Sequence, residues 1–189
     1  MGAKGRETRT RLVSTARTLI EAQGYFGTGL NQILAESGAP RGSLYFHFPG
    51  GKDQLVAAAL SDAGDEVAAL IRELEANAPT ALALAQQLID VFAERMHASG
   101  YTKGCPLATV ALEVAASNDA LQSVCAEAYL GWQQLLASRL IAEGSDPAKA
   151  EDLASSVLAL VEGALLLGRA RRSVQPLEQV RRVVETLLG

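Results

Sequence analysis

Between Arg41 and His47 the chain places a guanidinium, the Ser43 hydroxyl, the Tyr45 phenol and the His47 imidazole within seven residues, with Gly42 between the first two. All four side chains donate hydrogen bonds and none is acidic, a set suited to an anionic surface rich in acceptors. A guanidinium in the first turn of a helix can give two bonds to a guanine edge or clamp a phosphate, and a glycine beside it allows close backbone approach. Ser43 can bond a base or a phosphate, while the tips of Tyr45 and His47 suit phosphates, a positioning role without base readout. Leu44 and Phe48, four residues apart, read as core anchors. Phe46 lies between Tyr45 and His47.

The elements that must hold this segment are helical. Apolar residues at Leu12, Val13, Ala16, Leu19 and Ile20 give the 3.6 period of a helix over 6–23, ended by Gly24. A second helix is expected over 30–36, with Thr28 as its N-cap and as a hydroxyl for a phosphate at the helix start. Gly38 permits a tight turn, Pro40 suits the start of the third helix over 40–46, and Phe48-Pro49-Gly50-Gly51 stops it. Two short helices joined by a glycine turn behind a longer helix describe a helix-turn-helix, with a domain over 6–52 and its motif at about 29–48. Residues 1–5 read as a loose arm from which Lys4, with Arg6, could enter a minor groove.

Charge separates this head from the rest. Of the ionised residues in 1–52, Lys4, Arg6, Arg9, Arg11, Arg17, Arg41 and Lys52 are basic and only Glu7, Glu21 and Glu36 are acidic, although the whole chain of 189 residues has a net charge of −4. A basic head on an acidic body points to a polyanion for the head alone. Alanine and leucine dominate and aromatics are 5%, which excludes an all-β fold and disfavours a parallel sheet. An apolar fraction of 49% excludes disorder. The apolar stretch from Leu158 to Leu167 is interrupted by Glu162, so no membrane span is expected. No secretory leader is read at the N-terminus, and Cys105 and Cys125 read as reduced thiols, consistent with a cytoplasmic location.

Residues 53–189 read as a second, larger helical domain of about six helices, making an all-α chain of about nine helices in total. Asp146 and Pro147 form a stop–start signal with an N-cap and an N1 proline. The helix over 147–172 is apolar over more than one face, which requires burial on two sides. With the last helix it forms a four-helix seam in a two-fold dimer, through Val157, Val161 and Leu165 on one helix and Val180, Val184 and Leu187 on the other. Small residues (Ala159, Gly163, Ala164, Gly168) allow close crossing. Candidate lining of an interior ligand pocket comes from Phe92, Met96, Cys105, Leu107 and Val110, and from Tyr129, Trp132, Leu136 and Leu166 further on. Glu113 and Glu162 could orient a ligand if buried.

Gly24-Tyr25, Thr28, Ile33-Leu34-Ala35, Ser37-Gly38, Gly42-Ser43-Leu44-Tyr45, His47-Phe48 and Lys52 together resemble the DNA-binding region of the tetracycline-repressor (TetR) family of bacterial transcription regulators. The resemblance spans about fifty residues in order and spacing. It implies an operator-DNA interface at Thr28, Arg41, Gly42, Ser43, Tyr45, Phe46, His47 and Lys52, and a helical C-terminal domain that binds a small molecule and dimerises. Pro49-Gly50-Gly51 is one residue longer than is common in the family, and Gly29 replaces a common hydroxyl residue. With Gly104-Cys105-Pro106-Leu107 and Glu162-Gly163-Ala164, the longer linker is similar to a multidrug- or flavonoid-responsive subgroup.

The expected function is a ligand-responsive dimeric regulator, a repressor released from a palindromic double-stranded DNA operator by a small hydrophobic or aromatic effector. The alternative is an all-α small-molecule-binding protein or redox sensor without operator binding, with Cys105 as the sensing thiol. No phosphate loop, nucleophile–base pair or metal-ligand spacing is evident, so neither an enzyme, a cofactor nor a metal is expected.

Overall fold

The computed structural model describes residues 2–189, which form nine α-helices and no strand: α1 (Ala3–Gly27), α2 (Leu30–Ser37), α3 (Arg41–His47), α4 (Gly51–Glu75), α5 (Ala81–Ala98), α6 (Pro106–Val114), α7 (Asp119–Ala142), α8 (Pro147–Arg171) and α9 (Gln175–Leu188). The all-α expectation holds. Two compact units emerge, 1–65 with 106–128, and 66–105 with 129–189. Helix α6 packs against α1, which brings a later segment of chain into the first unit.

In the first unit α1 packs against α2, α3 and α6. Leu12, Ala16 and Ile20 on α1, Ile33 on α2, Leu44 on α3 and Leu107 and Val110 on α6 are fully buried. Each large aliphatic residue removed from water contributes on the order of 1.5–3 kcal/mol, so this shared core holds the short helices that could not persist alone. Helix α1 starts at Ala3, so Lys4 and Arg6 lie within a helix instead of a loose arm; Met1 lies outside the described residues. Gly24 does break the helix, at φ 75° and ψ −176°, and a further short turn carries it to Gly27. The expected Thr28 cap is not formed. Gly29 is the N-cap of α2 without a side-chain bond, and the buried Thr28 hydroxyl donates back to the Gly24 carbonyl at 2.7 Å. Gly38 closes α2 in the left-handed region.

In the second unit α5, α8 and α9 pack on one another. Ala85, Ile89, Met96, Val157, Val161, Ala164, Leu165, Leu177 and Val184 form one core cluster, with Phe92, Cys105, Leu136 and Val180 partly buried against it. Asp146 caps α8 as expected, accepting from Ala148 N at 3.0 Å and Lys149 N at 3.2 Å, with Pro147 opening the helix. A Cβ on Gly168 would stand 2.7 Å from Met96 Sδ, so this glycine serves a crossing inside the protomer. Length and composition alone would let α8 cross a membrane, unlike the short interrupted stretch read from sequence. One face of it packs against α5 and α9.

This packing corrects the expected dimer seam. Val157, Val161, Leu165 and Val184 are buried within the protomer and Val180 is partly so, because α8 and α9 turn these residues toward α5. The residues left outside are Leu166, Leu167, Val183 and Leu187. Leu166 is 62% exposed, so it is not a lining residue of an interior pocket.

Candidate nucleic-acid interface

Helix α3 has seven residues and no side-chain cap. Its position is set by two anchors, Leu44 at 0% exposure and Phe48 at 1%, and the Phe48 amide donates to the Leu44 carbonyl at 2.7 Å. The Arg9 guanidinium of α1 sits 5.4 Å from the Phe48 ring centre. With those anchors inward, Arg41, Gly42, Tyr45 and Phe46 are exposed and Ser43 and His47 partly so. Phe46 is 76% exposed, and its ring meets His47 edge-on at 5.0 Å. The two-residue spacing of Tyr45 and His47 flanks this ring with polar groups.

A shallow furrow of about 240 Å³ runs between α2 and α3, lined by Gly29, Leu30, Asn31, Leu34, Arg41, Leu44 and Tyr45. Arg41 lies along it and donates to Asn31 Oδ1 at 2.8 Å. Sequence reasoning did not single out Asn31. It stands ten residues before Arg41, and only the fold of the turn brings the pair together.

Two residues expected at DNA make bonds within the protein instead of standing free. Thr28 is fully buried and its hydroxyl is committed to Gly24. Lys52 Nζ donates to the Tyr25 carbonyl at 2.6 Å and lies 4.0 Å over the Tyr25 ring centre, so the amine is turned onto the α1–α2 connection. Partial burial lowers the Lys52 pKa, partly opposed by Asp53 and Glu113.

Tyr25 is the centre of a polar node that sequence reasoning missed. Its amide donates to Glu113 Oε2 at 2.5 Å, and its hydroxyl donates to Asp53 Oδ1 at 2.6 Å. Asn118 Nδ2 reaches the other Asp53 oxygen at 2.9 Å. The bond to Asp53, together with burial and the nearby carboxylate charge, raises the Tyr25 pKa to about 12. A Cβ on Gly24 would overlap the Glu113 carboxylate, so only glycine lets α6 approach here. Glu113 therefore holds α6 to the head and is not a ligand-orienting group. No local pattern announces a bond across 88 residues of chain.

Comparison with known proteins decides the class. Residues 12–59 match the family described as bacterial regulatory proteins, tetR family, and residues 81–183 match the C-terminal domain of LmrA/YxaF-like transcriptional regulators. This chain belongs to the TetR family. An HTH-type transcriptional regulator of Mycobacterium tuberculosis (Rv0196) is 39% identical over 185 residues, covering 95% of this chain and 93% of the relative. The HTH-type regulator LmrA of Bacillus subtilis is 33% identical, covering 96% of this chain and 97% of the relative. The fold matches that of a TetR transcriptional regulator from Legionella pneumophila, with a TM-score of 0.86 at 24% identity over 100% of this chain and 98% of that one. The chain is thus a helix-turn-helix transcriptional regulator, and its relatives are regulators and not enzymes.

The eleven residues expected around a TetR-family effector do not all meet. Leu107 and Val110 are core residues of the first unit, Glu113 joins the Tyr25 node, and Leu166 faces outward. Phe92, Met96 and Leu136 lie in or against the core of the second unit. Four of the set gather there: Trp132 and Tyr129 meet edge-to-face at 5.3 Å, Cys105 Sγ lies 3.7 Å from the Tyr129 hydroxyl oxygen, and both of these groups hydrogen-bond Glu162. Burial raises the Glu162 pKa, against the opposing pull of those two bonds. Cys125, by contrast, is a buried thiol whose pKa burial pushes up to about 11. Among the described residues no cluster of His, Cys, Asp and Glu has the arrangement of a metal site.

Proposed function

We propose that this TetR-family regulator acts in the cytoplasm as a two-fold dimer that represses transcription by reading a palindromic DNA operator through α3, and that a small hydrophobic or aromatic effector bound in the second unit releases it. The observation that carries the reading is the outward face of α3. Arg41, Ser43, Tyr45, Phe46 and His47 lie over the anchors Leu44 and Phe48, with hydrogen-bond donors and no acid among them. A helix this short fits the major groove, and Arg41 in its first turn suits a guanine edge.

One such helix reads few base pairs, so two are needed. Ala159, Gly163, Leu166 and Leu167 form an outward stripe on α8, Val183 and Leu187 are exposed on α9, and a Cβ on Gly163 would meet nothing within the protomer. Small residues amid exposed leucines favour close pairing with the same surface of a second copy. Such a dimer reads half-sites about 34–36 Å apart or a multiple of that spacing. An effector releases DNA only if it binds the non-operator conformation more tightly.

The test is anisotropy titration of a fluorescent duplex carrying the palindrome upstream of the protein's own gene. Log affinity falls linearly with log salt, by orders of magnitude between about 50 and 200 mM, while preference over scrambled duplex persists. Absence of salt sensitivity or of sequence preference overturns the reading.

A further inference from the structure

Glu162 stands on α8 among apolar neighbours, with Val161, Ala164 and Leu165 packed into the core around it. Its Oε2 atom is sealed from solvent and has no hydrogen-bond partner. A buried polar atom without a partner costs about 1–3 kcal/mol, more when it is charged, so a carboxyl kept in such a place calls for a function. The groups around it show which form it is built for. The Cys105 thiol and the Tyr129 hydroxyl both bond the carboxyl group in the sense that favours its ionised state. Burial works against that charge and raises the Glu162 pKa, so two neutral donors alone leave the carboxylate costly, and a counter-charge is what would complete the site. Beside it the rings of Tyr129 and Trp132 stand nearly perpendicular, at 86°, and Trp132 is buried.

We propose that Glu162 anchors a protonated amine of the effector, with the Tyr129 and Trp132 rings packing against its apolar body. A primary or secondary ammonium supplies the N–H donor that Oε2 lacks and neutralises the carboxylate where the local dielectric makes that pairing strong. Aromatic faces add attraction for the same cation. A neutral alcohol of equal size supplies one hydrogen bond and no charge. The inference rests on the effector reading above and narrows it from hydrophobic or aromatic molecules in general to those carrying an amine.

Trp132 is the only tryptophan in the chain, so its emission reports this site without a label. The probes are phenethylammonium and phenethyl alcohol, which differ in the single polar group. The ammonium perturbs Trp132 emission at concentrations at least about tenfold lower than the alcohol does. Glu162→Gln, which keeps the shape, abolishes that preference, and Tyr129→Phe reduces it. Equal response to the two probes, no response to the ammonium up to millimolar concentration, or a preference that survives Glu162→Gln overturns the proposal. Should the Gln variant fold poorly in a thermal melt, the wild-type comparison of the two probes and the Tyr129→Phe variant decide it. Operator binding of the same unliganded preparation separates the two claims. Retained salt-dependent binding with no amine preference removes only the Glu162 site, whereas lost operator binding removes the regulator reading whatever the probes do.

Discussion

Helices α3 and α8 carry their polar groups in opposite ways. At α3 two residues, Leu44 within it and Phe48 just past its end, suffice to hold the helix to the core, and the remaining side chains are exposed or half-exposed and, Phe46 apart, carry hydrogen-bond donors. In α8 the apolar residues encircle the helix, and one carboxylate lies inside them. A short helix on a rigid support can spend most of its positions on recognition, because little of its own surface needs burying. A long helix packed on two neighbours has no such freedom, and a polar group within it is costly enough to mark a role. The outer face of α3 and the interior of α8 are therefore the informative parts of each.

The contrast can be broken first at α9. Val184 is fully buried, so Val184→Glu places an unpaired charge in the core of the second unit and lowers unfolding stability by about 3–5 kcal/mol, read by chemical denaturation. Leu166→Glu, on the outer side of α8, leaves the thermal midpoint of the fold within the range of surface substitutions, yet shifts the protein from dimer to monomer in sedimentation. If Leu166→Glu remains dimeric, the outward stripe is not the seam.

On the side of the head, Gly24→Ala forces a side chain into a positive-φ position against Glu113 and costs about 1–3 kcal/mol, seen as a lower denaturation midpoint. Arg41→Ala leaves stability unchanged and weakens operator binding by about 1–3 kcal/mol with relaxed base preference, measured by titration against substituted operators. The smallest effect is one of pH. Tyr25 holds its proton more tightly folded, to about 12, than its ordinary value of 10.0. Its contribution to stability is complete below pH 10 and is lost as pH rises from there toward about 12. Ultraviolet titration of the phenols shows one tyrosine ionising late, and Asp53→Asn restores it toward the ordinary range.

Much of the head was legible in the sequence. The spacing of Leu12, Ala16 and Ile20, the breaks at Gly24 and Gly38, and the Leu44–Phe48 pair are local signals, and the structure puts these residues where period and turn chemistry expect them. The bonds that Thr28 and Lys52 make were not legible, for a common reason. Each is a polar residue beside a turn, and whether its polar atom faces outward or satisfies a nearby backbone carbonyl depends on the turn's geometry, which residue type does not specify. The seam on α8 and α9 failed differently. Apolarity on several faces of a helix reveals that two sides are covered, and Val161 and Leu166 were both apolar enough for either side.

By itself, the order of residue types determined an all-helical chain, a basic helix-turn-helix head, a donor-bearing recognition helix and the caps at Asp146 and Gly38, because helix period, capping and turn formation act over a few residues. The tertiary structure alone decided that Glu113 holds the Tyr25 backbone, that Val184 is core while Leu166 is surface, and that Cys105, Tyr129 and Glu162 meet. Those outcomes join residues dozens of positions apart, and burial, not chemical type, determines what each of them can do.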